Sequence, residues 1–180
     1  MSSQPDTPSL SSLEFIHYLD DRGHLPEFLQ GKIGVYAIFD QQQMLQYVGY
    51  SRDIHLSLKQ QLVRQPECCY WLKVQTIDRP NRTILEEIRT TWISENGSVP
   101  AGNGVDEGQW TQAIDAKLQM TPEEQASLVG AIDELTQTKV LKQVARRVEA
   151  EILEVLKSRG VQVEIRFNPK LKEEGLLDLK

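Results

Sequence analysis

The chain has 180 residues, 39% of them hydrophobic, and a net charge of −6. It is long enough to bury a core without disulfides or metals, and the acidic balance excludes a protein that coats nucleic acid non-specifically, which needs clustered Lys and Arg. No run approaches the roughly 18 apolar residues of a membrane span, and the polar start "MSSQPDTPSLSS" lacks the basic and apolar segments of a secretory signal, so a cytoplasmic protein with no membrane partner is expected.

Residues 1–30 read as a disordered lead over 1–11 followed by a short helix, "SSLEFIHYLDD", with Ser11 or Ser12 as N-cap. Residues 32–39 alternate strictly, with Ile33, Val35, Ala37 and Phe39 on one face and Gly34, Tyr36 and Ile38 on the other. Residues 44–49 read as a second strand. The polar connection "DQQQ" between the two predicts an antiparallel hairpin. A helix over about 53–64, a third strand over 70–77 and a helix over 82–95 follow. The last carries Ile84, Ile88 and Trp92 at four-residue spacing and stops in "ENGSVPAGN".

After Asn103 the pattern is mostly helical. "GVDEGQWTQAIDAKLQM" reads as a short helix. Thr121, Pro122 and Glu124 spell a capping box opening the next one, and 139–158 carries a long apolar stripe closed by Gly160. "VQVEIRF" reads as a strand. Residues 104–138 hold one Lys and seven acids, whereas 139–172 hold nine basic and four acidic residues. Two readings of that asymmetry stand open: helices packed through complementary faces, or a basic surface for nucleic acid or another acidic partner. The adjacent Cys68 and Cys69 fit no zinc or CxxC spacing and read as reduced thiols.

Tyr36 and Tyr47 sit ten or so residues apart across the predicted turn, so an antiparallel hairpin sets them roughly opposite each other on one face. Such a pair can be plain sheet packing. The wider layout, however, with "GVY" at 34–36, "YVG" at 47–49, then helix, strand, helix and a terminal Asn, resembles the GIY-YIG nuclease domain over residues 31–103. Within that family the stretch from Ser51 to Asn103 is similar to a cyanobacterial and chloroplast branch that includes the N-terminal domain of chloroplast bifunctional monothiol glutaredoxins. The resemblance implies an α+β fold: a small three-stranded antiparallel sheet flanked by helices, followed here by a helical C-terminal extension over 104–180 that ends in a short strand.

It also implies hydrolysis of DNA phosphodiesters with one divalent metal, Mg²⁺ or Mn²⁺, which favour oxygen ligands. Tyr36 and Tyr47 match the two family tyrosines, Asn103 the terminal asparagine, and Glu87, or alternatively Glu86, the metal ligand. Aligning on Trp92 and Ile93 instead puts Arg89 at the glutamate position. The family's helix arginine falls on Ser57, its following His or Tyr on Gln61, and its frequent Lys on Tyr50. Phosphate binding would then fall to Arg52 or Lys59, and Asn103 and Lys59 are the expected substrate-binding residues. Losing a well-placed cation costs several kcal/mol of barrier. Two functions follow: a divergent metal-dependent DNA endonuclease, or a catalytically weak or inactive module of the same fold. In the second, the C-terminal helices supply a protein-partner surface.

Overall fold

The computed structural model describes residues 7–180. Its main sheet is α+β in setting and antiparallel throughout, built from β1 (Ile16–His17), β2 (Ile33–Phe39), β3 (Leu45–Ser51) and β4 (Trp71–Ile77) in the order β1-β4-β2-β3. The expected three strands are present, and a fourth joins the outer edge of β4. β2 is central, and six of its seven residues are buried, as expected of a strand covered on both faces.

The hairpin between β2 and β3 closes through Asp40. Its Oδ1 accepts from the backbone N–H groups of Gln42 and Met44 at 3.0 and 2.9 Å, and Gln43 takes the left-handed conformation at φ 62°. Ile38 pairs with Tyr47 but Phe39 pairs with Leu45, so Gln46 is the extra residue of a bulge. The bulge corrects the expected register. Tyr36 lies opposite Gly49, and Tyr47 lies opposite Ile38, so the tyrosines share a face but are offset diagonally.

α1 (Ile54–Arg64) starts at Asp53, whose side chain accepts from Leu56 N, and α2 (Arg82–Glu95) starts at Asn81, which accepts from Ile84 N. The two helices cover opposite faces of the sheet. Leu85, Ile88 and Trp92 of α2 pack with Val35, Ala37, Phe39 and Val48. α1 buries Ile54, Leu58 and Leu62 and meets Tyr36 through Gln61 on the other face.

The segment expected as a capped helix, Ser11–Asp21, is instead an extended strap. Leu10–Ser12 forms a single 3₁₀ turn and β1 pairs with β4. Its apolar positions are too sparse for a helical stripe, while Phe15 finds the edges of Phe39 and Trp71 at 4.9 and 5.9 Å. The buried Lys73 ammonium donates to Leu10 O at 3.0 Å and lies 4.3 Å over the Phe15 ring. Trp92 Nε1 donates to Pro8 O at 3.0 Å. The expected disordered lead is therefore pinned from Pro8 onward, and its first six residues lie outside the described ones.

The chain divides into two compact units, one ending at Trp110 and the other spanning Thr111–Lys180. α3 (Glu107–Thr111) replaces the longer helix expected there. In the second unit, β5 (Ile114–Asp115) pairs with β6 (Leu176–Leu177). α4 (Pro122–Gly130) carries the expected capping box, and α5 (Glu134–Ser158) runs into a left-handed Gly160 at φ 73°. α6 (Pro169–Lys172) is one turn. "VQVEIRF" forms no strand and contributes only an isolated bridge between Phe167 and Leu179.

One ion pair links the acidic and basic stretches of this half, and others form within the basic stretch. Arg147 of α5 donates to Glu124 of α4 and to Glu151, and Lys172 pairs with Glu149. Among the described residues, no helix is long and apolar enough to cross a membrane.

Candidate functional site

Tyr36 and Tyr47 point to the α1 side of the sheet with ring centroids 6.1 Å apart and planes at 50°. Gly49 makes their approach possible. A Cβ there would lie 2.6 Å from Tyr47 Cε1 and 2.8 Å from the Tyr36 hydroxyl, closer than real Cβ contacts. Both rings are buried, at 2% and 8% exposure.

α1 presents Ser57, Gln61 and Arg64 to the pair, at i, i+4 and i+7 on one face. Gln61 Nε2 donates to the Tyr36 hydroxyl at 3.3 Å, while the buried Gln61 Oε1 has no hydrogen-bond partner. Ser57 hydrogen-bonds Ser51 Oγ at 2.7 Å. Arg64 donates to Trp110 O at 3.0 Å. Trp110 lies flat on Tyr47, centroids 5.2 Å apart and planes within 10°. Its indole is seated against Gly102, where a Cβ would come within 2.9 Å of it.

The Tyr36 ring is therefore enclosed and the Tyr47 ring covered on one face. Burial, then the neighbouring Tyr47, pushes the Tyr36 phenol far above its usual range, outweighing Gln61, Ser57 and Arg64. Burial likewise raises Tyr47, against the lowering pull of Arg89 and Arg64. A phenol raised in this way is a poor general base near neutrality, because the best base has a pKa near the working pH.

On the other face, Tyr50 donates its hydroxyl to Glu86 Oε1 at 2.6 Å, and Arg89 donates to Glu86 Oε2 at 2.7 Å. Arg89 also lies 5.1 Å over the Tyr50 ring, and Arg82 approaches Glu86 at 3.9 Å. The Tyr50 hydroxyl foremost, helped by both arginines, holds the Glu86 carboxyl below its usual range.

Asn103 straps the free edge of β3. Its Nδ2 donates to Val48 O at 2.7 Å and its Oδ1 accepts from Val48 N at 2.8 Å, as a neighbouring strand would.

The predicted site residues thus fall into separate places. Tyr36 and Tyr47 come together, and Asn103 holds the strand that carries Tyr47. Arg52 is exposed and lines a cleft with Tyr50, Ser51, Asn81 and Arg82. Lys59 lies about 200° round α1 from Ser57 by helical geometry. Glu87 is exposed on the outer side of α2, in a shallow groove with Thr83, Thr90 and Thr91. Of the two glutamates, Glu86 is the one beside a strand that carries the tyrosines.

The sequence reading missed Arg64, Trp110 and the contacts of Arg89. The first is legible as the third member of a helical row with Ser57 and Gln61. The third is legible as an Arg at i+3 from Glu86. Nothing in "EGQW" marks Trp110.

The residues that the resemblance assigns to a divalent metal fit one poorly. Each Glu86 oxygen already accepts a hydrogen bond, only Glu87 shares its groove as a second carboxylate near the helix centre, and among the described residues no group of three or more His, Cys, Asp or Glu is placed to hold an ion. Cys69 is buried and Cys68 half-buried, and burial first, then Asp40 and Glu67, raises the Cys68 pKa, away from the thiolate.

No known family profile matches the chain. It is 32% identical over 109 residues to the bifunctional monothiol glutaredoxin-S16, chloroplastic, of Arabidopsis thaliana. The match covers 57% of this chain and 37% of that protein's length. This bears out the expected kinship with chloroplast bifunctional monothiol glutaredoxins.

Proposed function

We propose that the first unit is a divergent GIY-YIG-type module whose nuclease site is closed, and that it serves in binding or assembly rather than in efficient phosphodiester cleavage. The observation that carries this reading is the covering of the tyrosine pair: Trp110 lies flat on the Tyr47 ring, and Tyr36 is 2% exposed with its hydroxyl bonded by Gln61, so Tyr36 is kept from a substrate phosphate. The absence of the helix arginine at Ser57 and the prior engagement of Glu86 support the same reading. The second unit carries exposed apolar side chains suited to a protein partner, since α4 buries no residue and Val129 and Ile132 are 87% and 97% exposed.

The second reading is a metal-dependent DNA endonuclease. It is favoured by the shared face and 6.1 Å spacing of Tyr36 and Tyr47, matched to the family's two motifs.

Nicking of supercoiled plasmid separates the two. Wild type, Tyr36→Phe, Glu86→Ala and Glu87→Ala are compared in Mg²⁺, in Mn²⁺ and in chelator. The closed-site reading expects no metal-dependent nicking above a mock preparation, in any variant. Metal-dependent nicking by wild type that disappears in Tyr36→Phe or in one glutamate variant overturns it in favour of the endonuclease.

A further inference from the structure

A carboxylate that is to hold a divalent cation must offer it an oxygen. Mg²⁺ and Mn²⁺ sites of this kind use one or two carboxylates and fill the remaining positions with water. Each oxygen of Glu86 already accepts a strong hydrogen bond. Oε1 accepts the Tyr50 hydroxyl at 2.6 Å and Oε2 accepts Arg89 Nη2 at 2.7 Å. Both are short bonds to an ionised acceptor, the stronger kind of hydrogen bond.

The guanidinium of Arg89 is fixed from a second side by the Tyr50 ring at 5.1 Å, and Arg82 adds another positive charge 3.9 Å from Oε1. Both arginines come from the same face of α2, one turn before and one turn after Glu86. An incoming dication would compete with Arg89 for the carboxylate and be repelled by both arginines.

We infer that Arg89 is the resident cation of this site: with the Tyr50 hydroxyl it engages Glu86, the carboxylate that the resemblance gives as the alternative metal ligand, and so holds a divalent ion off it. This rests on the closed-site reading above. It goes further in naming the residue that excludes the ion and in predicting that its removal creates a metal site.

The experiment is titration of Mn²⁺ into the full chain, followed by the loss of the free-ion electron paramagnetic resonance signal. Wild type, Glu86→Gln, Arg89→Gln and the double variant Glu86→Gln/Arg89→Gln are compared. Arg89→Met is run beside them to keep an unbranched stem packed on Tyr50, and circular dichroism establishes that each variant is folded. Wild type and Glu86→Gln should bind Mn²⁺ equally weakly. Arg89→Gln or Arg89→Met should bind at least about tenfold more tightly, and the double variant should lose the gain.

Wild-type binding that Glu86→Gln weakens overturns the inference, since Glu86 would then be open despite Arg89. So does a folded Arg89→Gln and Arg89→Met pair that binds no more tightly than wild type. Plasmid nicking keeps the two ideas apart. Nicking by wild type that is indifferent to Glu86→Gln sinks the closed-site reading alone, and Glu86-dependent Mn²⁺ binding without nicking sinks only the role of Arg89.

Discussion

At the scale of single residues, the fold has turned two tyrosines into neutral packing groups. Tyr36 is enclosed by Gly49, Tyr47 and Gln61, and its phenol is held protonated mainly by burial. In the unfolded chain a tyrosine ionises near pH 10. The folded chain keeps the proton to higher pH. Above about pH 10 the unfolded state therefore binds fewer protons than the folded one, and stability falls as pH rises. The contribution is fully present below the unfolded pKa and is lost as pH climbs through the folded value.

Tyr36→Phe removes this dependence at one of the two groups. It also leaves Gln61 without the hydroxyl that its amide donates to, at a cost of about 1–3 kcal/mol for an unsatisfied buried polar group. Urea unfolding between pH 8 and 11 should show a less stable variant at pH 8 and a shallower decline above pH 10. An unchanged alkaline slope would mean that Tyr36 ionises as freely in the fold as in the unfolded chain.

At the scale of elements, Asn103 does what a fifth strand would do. Its amide satisfies both main-chain groups of Val48 on the open edge of β3. Asn103→Ala leaves those groups to water and loosens the strand that carries Tyr47. A loss of about 1–3 kcal/mol is expected. Faster hydrogen exchange should be confined to Val48 and its neighbours, because local opening follows local loss of bonds. Exchange unchanged at Val48 would show that the strap is dispensable.

This is also the scale at which the sequence can be judged. The hairpin, α1, β4 and α2 were legible because strict alternation and four-residue spacing are written into their residues. β1 was not, since a two-residue edge strand leaves no period to read. The shared face of the tyrosines was legible, but their offset was not, because a bulge at Gln46 has no sequence mark. Of the site, the row of Ser57 and Gln61 on one face of α1 could be read in advance. The cover over Tyr47 could not, because it depends on a side chain more than sixty residues downstream that meets the sheet only after folding.

At the scale of the whole molecule, the question is where the first unit ends. By sequence the domain closes at Asn103, after the last family motif, whereas the compact unit runs to Trp110. The difference is physical, because those last residues carry the indole that is 3% exposed and stacked on Tyr47. They also supply the carbonyl that Arg64 holds. A chain cut after Trp110 keeps the core between sheet and α2, the α1 face and the cover. A chain cut after Asn103 keeps the strap but loses the cover, and loss of a buried Trp side chain typically costs about 3–5 kcal/mol.

The longer fragment should therefore unfold cooperatively in urea. The shorter should be less stable by roughly that amount, with one or two additional tyrosines titrating near pH 10 in its ultraviolet spectrum. Equal stability of the two fragments, with identical tyrosine titrations, would show that Trp110 neither supports nor seals the pair. The reading of a closed site would then lose the feature on which it stands.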